Sequence, residues 1–209
     1  DFARQAVALA PGRPAPMMSL AMALGNQDRG DEALAALEAA ARAEAASGED
    51  VESFAMHAYW LLWSGQPERA VDLCRRMLPQ RRNANAHGQY GFALLTLGLY
   101  GEGWRQYEFR WFQEPLRSRR VALGRPVWAG QDLAGKTLLL RAEQGAGDTI
   151  QFARFAATFK AMGARVILQA QPELQKLGAG FRGVDQVAPL ADPPPAFDFY
   201  VRTMSAPAA

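Results

Sequence analysis

The sequence predicts an all-α solenoid of helical repeats followed by a partial α/β domain with a parallel sheet. Three observations predict it. Small and turn-forming residues around Gly65 recur around Gly98 in a helix-rich first half. An aliphatic run, Leu138-Leu139-Leu140, opens a strand–loop–helix pattern in the second half. Between them, residues 113–136 show no clear periodicity. The expected division is helical repeats over 1–112, a linker and anchor over 113–136, and a half-domain over 137–209.

Residues 3–9 read as the end of a preceding helix, which Pro11, Gly12, Pro14 and Pro16 break. Residues 17–24 are helix-forming and largely apolar, and a polar turn follows over 26–31. Residues 32–46 are nearly all Ala, Leu and Glu, which favour helix. Small Ala33, Ala36 and Ala40 let a second helix approach closely. A turn at 47–50 leads into a helix over 51–64, with Phe54, Ala58 and Leu61 on one stripe. Gly65-Gln66-Pro67 closes it and sets proline at the start of the next helix, 68–78. Pro79 and polar residues 80–85 end that helix. A further one over 86–97 stops at Gly98, and 102–112 completes another pair.

Gly65 and Gly98 are 33 residues apart, and so are Ala70 and Gly103. Asp28 and Ala33 hold the matching points of an earlier copy, with a few extra residues around 45–50. A helix–turn–helix unit of about 34 residues is the tetratricopeptide pattern, and about three copies are the minimum for a stable stack. Three fit between residues 14 and 112. The concave face of such a stack suits a protein or peptide partner. Trp104, Tyr107 and Trp111 are spaced by three and four. They read either as a packing stripe capping the solenoid or as a ligand-binding aromatic face. Arg105, Arg110, Arg117, Arg119, Arg120 and Arg125 bracket them, as a solvated linker surface or as a grip on phosphate.

In the second half, Pro126-Val127-Trp128-Ala129-Gly130 reads as an anchor with Trp128 buried. Residues 137–141 suit a strand covered on both faces. Gly145 and Gly147 supply backbone freedom where the chain turns and is approached closely. Asp148 or Thr149 can cap a helix over 150–162 that is apolar enough to lie on a sheet. Strands over 165–169, 184–187 and 197–201, a short helix over 172–177 and a Pro193-Pro194-Pro195 loop follow. This is the βαβ pattern of an open, Rossmann-like parallel sheet with right-handed connections.

Composition narrows the chemistry. Apolar residues make up 49% and charged residues 21%, so the chain is expected to be globular. A net charge of +2 gives no case for nucleic-acid binding. The single cysteine, Cys74, cannot form an internal disulfide and fits a reducing, cytoplasmic setting. No apolar run reaches the ~18 residues of a membrane span, and residues 1–13 lack the features of a signal peptide. No metal-ligand cluster is visible: His57 and His87, the two histidines, both lie in the repeats and read as packing or surface residues. The loop at 143–149 has neither the Gly-Lys-Ser/Thr of a P-loop nor the third glycine of a dinucleotide fingerprint.

The polar groups left for chemistry are Arg141, Glu143, Gln144, Asp148, Thr149 and Gln151, with Gly145 and Gly147 between them. They fall at the carboxyl end of a predicted parallel strand, where α/β proteins place ligands. Asp148 reads as a general base for a hydroxyl nucleophile or as a plain helix cap. Backbone amides there read alternatively as an anion contact. Arg141 and Arg154 can pair with Glu143 or meet an acidic ligand.

Residues 104–111, 126–130, 135–140 and 143–154, with Asp198 and Met204-Ser205, resemble a bacterial group that joins tetratricopeptide repeats to a glycosyltransferase domain related to the heptosyltransferases. The resemblance implies the N-terminal half of a fold with two facing Rossmann-like domains (the GT-B type). In that half the aspartate after the glycine, here Asp148, is the catalytic base, and Arg141, Gln144 and the amides near Gly147 orient the acceptor. It implies transfer of a sugar from a nucleotide donor to a hydroxyl of a protein or glycan. The donor is held mostly by the other half, so no cofactor is expected on this chain. The chain is accordingly expected to be an N-terminal fragment, inactive alone. The alternative is a non-catalytic tetratricopeptide adaptor.

Overall fold

The structure, a computed structural model, describes residues 2–48, 53–79, 83–118 and 121–209. The chain divides into two compact units, Asp1–Ser118 and Arg119–Ala209. The expected linker is shared between them. Gln113 belongs to the first, where its Nε2 donates to Ala84 O (2.6 Å). Trp128 belongs to the second and is buried there, its backbone N–H donating to Tyr200 O (2.8 Å) and its ring edge-on to Phe159.

The first unit contains α1 (Phe2–Leu9), α2 (Pro14–Gly25), α3 (Gly30–Ser47), α4 (Ser53–Trp63), α5 (Pro67–Met77), α6 (Ala84–Thr96) and α7 (Tyr100–Tyr107). A 3-10 turn, Glu108–Phe112, follows. α2 pairs with α3, α4 with α5 and α6 with α7, while α4 also touches α2 and α6. The periodicity appears in the backbone. Asp28, Gly65 and Gly98 all have left-handed φ, at 59°, 69° and 75°, just after the first helix of each pair. The next amides, of Arg29, Gln66 and Leu99, bond back to the carbonyls of Leu24, Leu61 and Leu94. These bonds satisfy carbonyls that a helix end leaves open. Ala33, Ala70 and Gly103 occupy the matching buried points on the second helices. At Gly103 a Cβ would lie 2.9 Å from the Leu95 side chain, so alanine there would have to push Leu95 aside.

Some boundaries differ from the expectation. α2 starts at Pro14, because Pro14 and Pro16 sit in a first turn that needs no N–H donor. Pro11-Gly12 alone mark the break. Residues 102–112 are not one α-helix: α7 starts at Tyr100, and the chain after Tyr107 tightens to 3-10. The expected helix start at 51, the turn residues 49 and 50, and residues 80–82, 119 and 120 lie outside the described residues.

The described residues of the second unit form four parallel strands: β1 (Thr137–Arg141), β2 (Arg165–Ala170), β3 (Gln186–Pro189) and β4 (Phe199–Arg202). Their order is β3-β2-β1-β4. α8 (Ala146–Phe152), a 3-10 turn at Ala153–Phe155 and α9 (Ala156–Ala161) connect β1 to β2, and α10 (Gln175–Gly178) precedes β3. Leu138, Leu140, Val166, Leu168 and Val201 face Phe159 and Trp128 in the larger core. Leu139, Ile167 and Ala188 form a smaller one with Phe197 on the opposite face. The expected helix over 150–162 therefore begins at Ala146, is interrupted at 153–155, and leaves Ile150 exposed. β3 and β4 each begin two residues later than expected. Asp185 and Asp198 occupy the entries, their carboxylates accepting the N–H groups of Val166 and Thr137 (both 2.8 Å). Among the described residues no helix is long and apolar enough to cross a membrane.

Candidate functional site at the strand-order reversal

From β1 the chain steps outward to β2 and β3, then returns to place β4 on the other side of β1. The order reverses between β1 and β4, and open α/β sheets bind ligands outside the carboxyl ends of strands at such a point. The loop from Ala142 to Gly145 leaves β1 at that end, and α8 packs against the 3-10 turn Thr203–Ser205 that follows β4.

Asp148 is the third residue of α8, not its N-cap. The N-cap is Gly145, in extended conformation, and Asp148 Oδ2 accepts its N–H (3.1 Å). This is half of a capping box; glycine has no side chain to supply the reciprocal bond. Neither loop glycine has left-handed φ. Gly147 lies in the first turn of α8 with open space where a Cβ would stand. Asp148 is half-buried, while Gly145 and Gly147 are exposed.

Thr149 takes a different place from the one its neighbours suggest. It is fully buried, with Oγ1 3.0 Å from Gln171 Oε1 and 3.2 Å from Gly145 O. Gln171 Nε2 donates to Gln144 O (2.8 Å). Gln171, just past β2, thus pins both ends of the loop, and Thr149 supports the site from below. Gln151 is exposed one turn further along α8, and Glu143 is half-buried in the loop. Arg141 Nη1 donates to Gln169 Oε1. Burial, and then the positive charge of Arg202, lower the Arg141 pKa from its ordinary value. Arg154 is exposed and lies over the rings of Phe152 and Phe155. Gln171 and Arg202 escape a reading of the β1 loop alone. Their signal is position, since each falls at the carboxyl end of a neighbouring strand.

Several other sequence candidates make packing contacts within the helical unit. Arg110 is buried between the rings of Tyr107 and Trp111 and paired with Glu108 (2.6 Å). His87 stacks on Phe109 at 3.7 Å and bonds Gln106. Trp104 meets Tyr107 edge-on. Burial lowers the His57 imidazole pKa. Among the described residues no group of three or more His, Cys, Asp or Glu is placed to hold a metal ion. In the helical unit, Met18, Met22, Met56, Tyr59, Asn85 and Gln89, from α2, α4 and α6, line a groove of about 450 Å³.

No protein-family model matches the chain. Over 60 residues it is 45% identical to Protein FlbA of Caulobacter vibrioides, a match covering 29% of this chain and 10% of that protein. Among solved structures it is similar to a mutant of the Thermobaculum terrenum O-GlcNAc transferase. The TM-score is 0.47 at 17% identity, with 88% of this chain and 36% of that chain covered. This chain thus spans a small part of both proteins.

Proposed function

We propose that this chain is the acceptor side of a sugar-transferring enzyme. Asp148 acts as the base, and the helical repeats, of tetratricopeptide type, bind the protein or peptide that brings the acceptor hydroxyl. The observation that carries this reading is the place of Asp148: a half-buried carboxylate in the first turn of α8, just after a loop pinned by Gln171, at the carboxyl end of β1 beside the strand-order reversal. The resemblance of residues 143–154 to the heptosyltransferase-related group supports the same role. In the reaction the acceptor oxygen attacks the anomeric carbon, the bond from that carbon to the nucleotide diphosphate breaks, and the hydroxyl proton passes to the Asp148 carboxylate. A second α/β half that binds the nucleotide sugar is part of the proposal.

Asp148→Asn in the whole protein tests it. Asparagine keeps an oxygen to accept the Gly145 N–H but cannot take the proton. With a panel of nucleotide sugars and the protein acceptor, transfer should fall about 10²-fold or more at an unchanged melting temperature. Unchanged turnover would remove Asp148 from the chemistry. A second reading, an adaptor without catalysis, is favoured by the methionine-lined groove, because flexible methionines suit an adaptable binding surface. On that reading Asp148 serves as the cap alone, and the nucleotide-sugar panel yields no transfer by either protein.

A further inference from the structure

β1 and β4 end side by side, and each ends in an arginine. Arg141 and Arg202 are register partners. Aligned residues of parallel neighbours project from the same face, with strands about 4.8 Å apart. That face carries Leu139, Ile167 and Ala188 in its small core, and the two half-buried arginines stand at its carboxyl edge, where the strand order reverses. Two guanidinium groups so placed repel each other, and burial strengthens the effect. Both influences lower the Arg141 pKa, burial first.

The fold nevertheless holds Arg141 in place. Its Nη1 donates to Gln169 Oε1. Gln169 is fully buried, and its Nε2 is fixed by the carbonyls of Pro189 (3.0 Å) and Asp192 (2.8 Å), so its oxygen is turned towards Arg141. The hydrogen-bonding partner is thus a neutral amide. Arg110, by contrast, meets the carboxylate of Glu108. Arg141 Nε is buried and has no hydrogen-bond acceptor among the described residues. Arg202 is steadied by Nη2 donating to Val121 O (3.2 Å), with its guanidinium 5.9 Å from the Tyr200 ring centroid. A buried donor without an acceptor and a neighbouring like charge are both relieved by the same thing, an oxyanion between them.

We propose that Arg141 and Arg202 form a binding site for an oxyanion, the phosphate or carboxylate group of a ligand seated at the strand-order reversal. The inference rests on reading this edge as a ligand crevice and does not depend on proton transfer by Asp148. The ligand class is a small phosphorylated or carboxylated molecule, gripped by planar guanidinium forks.

The test is a titration of the ¹⁵N-labelled full chain at low salt with inorganic phosphate and, separately, glucuronate, following the Arg141 Nε–H resonance, assigned by its loss in Arg141→Lys. A saturable downfield shift is expected. The tighter of the two probes tells which oxyanion the site prefers. Arg202→Gln should weaken that affinity at least ~tenfold. Arg202→Lys, which keeps the charge and loses the fork, should fall between, and serves if the glutamine variant does not fold. Asp148→Asn should bind the probe as the unaltered chain does, so loss of sugar transfer and loss of anion binding are separable. Absence of a saturable shift with both probes at tens of millimolar overturns the proposal, as does equal affinity in the Arg202 variants.

Discussion

At Asp148 one carboxylate caps the helix that carries it and stands at the ligand edge of the sheet. A capping aspartate was legible in the sequence but its place was not: Asp148 reads as the N-cap of a helix from 150, whereas it is the third residue of a helix from Ala146, because an N-cap glycine has no side chain to mark the start. The pinning by Gln171 and the pairing of Arg141 with Arg202 were not legible. Both depend on which strands lie beside β1, and a single strand–loop–helix pattern carries no strand order. Cys74 shows the opposite case, a residue with a chemistry on paper that its surroundings suppress. It is fully buried, and burial pushes its thiol up to about 12. The thiolate is the reactive form, so very little is present near pH 8. The native protein should therefore leave an aromatic disulfide reagent unreacted at pH 8, and one thiol should titrate once denaturant is added. Rapid stoichiometric labelling of native protein would contradict the burial of Cys74.

At the scale of elements, glycines separate two costs that sequence alone merges. Gly183 has φ +89°, and a Cβ there would lie 2.5 Å from the Ala157 backbone, which cannot swing aside. Gly130 has φ +94° and open space around the same position. Gly130→Ala should cost about 1 kcal/mol, the strain of a left-handed alanine. Gly183→Ala adds overlap between main chains and should cost about 3 kcal/mol or more. Urea midpoints of the two variants measure the difference, and equal midpoints would show that the contact between Gly183 and Ala157 is looser than described. The end of the first helix in each pair was readable because turn chemistry is local: Gly65 and Gly98 take the φ that glycine favours, and Asp28 does the same in the earlier copy. Strand starts were less so. Asp185 and Asp198 use side-chain oxygens where a strand would use its backbone, which delays β3 and β4 by two residues without changing the hydrophobic pattern.

At the scale of the molecule, each unit has its own core, and acid acts on the two through different groups. In the helical unit, burial holds the His57 imidazole pKa below its ordinary value, with Glu38 raising it and Arg69 and Arg76 lowering it by smaller amounts. The folded value being the lower, the unfolded chain binds the proton first. The contribution of neutral His57 is then complete above the ordinary imidazole pKa of about 6.5 and declines as pH falls below it. In the α/β unit, Lys160 at 2.6 Å and the Val166 N–H hold the Asp185 carboxyl below its ordinary value. Its stabilisation is present above the ordinary carboxyl range near ~4 and is lost as pH falls through the lower folded pKa. Lowering the pH from 7 to 5 should therefore reduce the thermal stability of the helical unit through His57 and leave the Asp185 contribution intact. Unit-resolved amide spectra recorded through thermal melts at the two pH values measure this. His57→Gln should remove most of the difference in the helical unit. A glutamine variant whose helical unit loses as much stability as the unaltered chain over that range would show that His57 is not the acid-sensitive group.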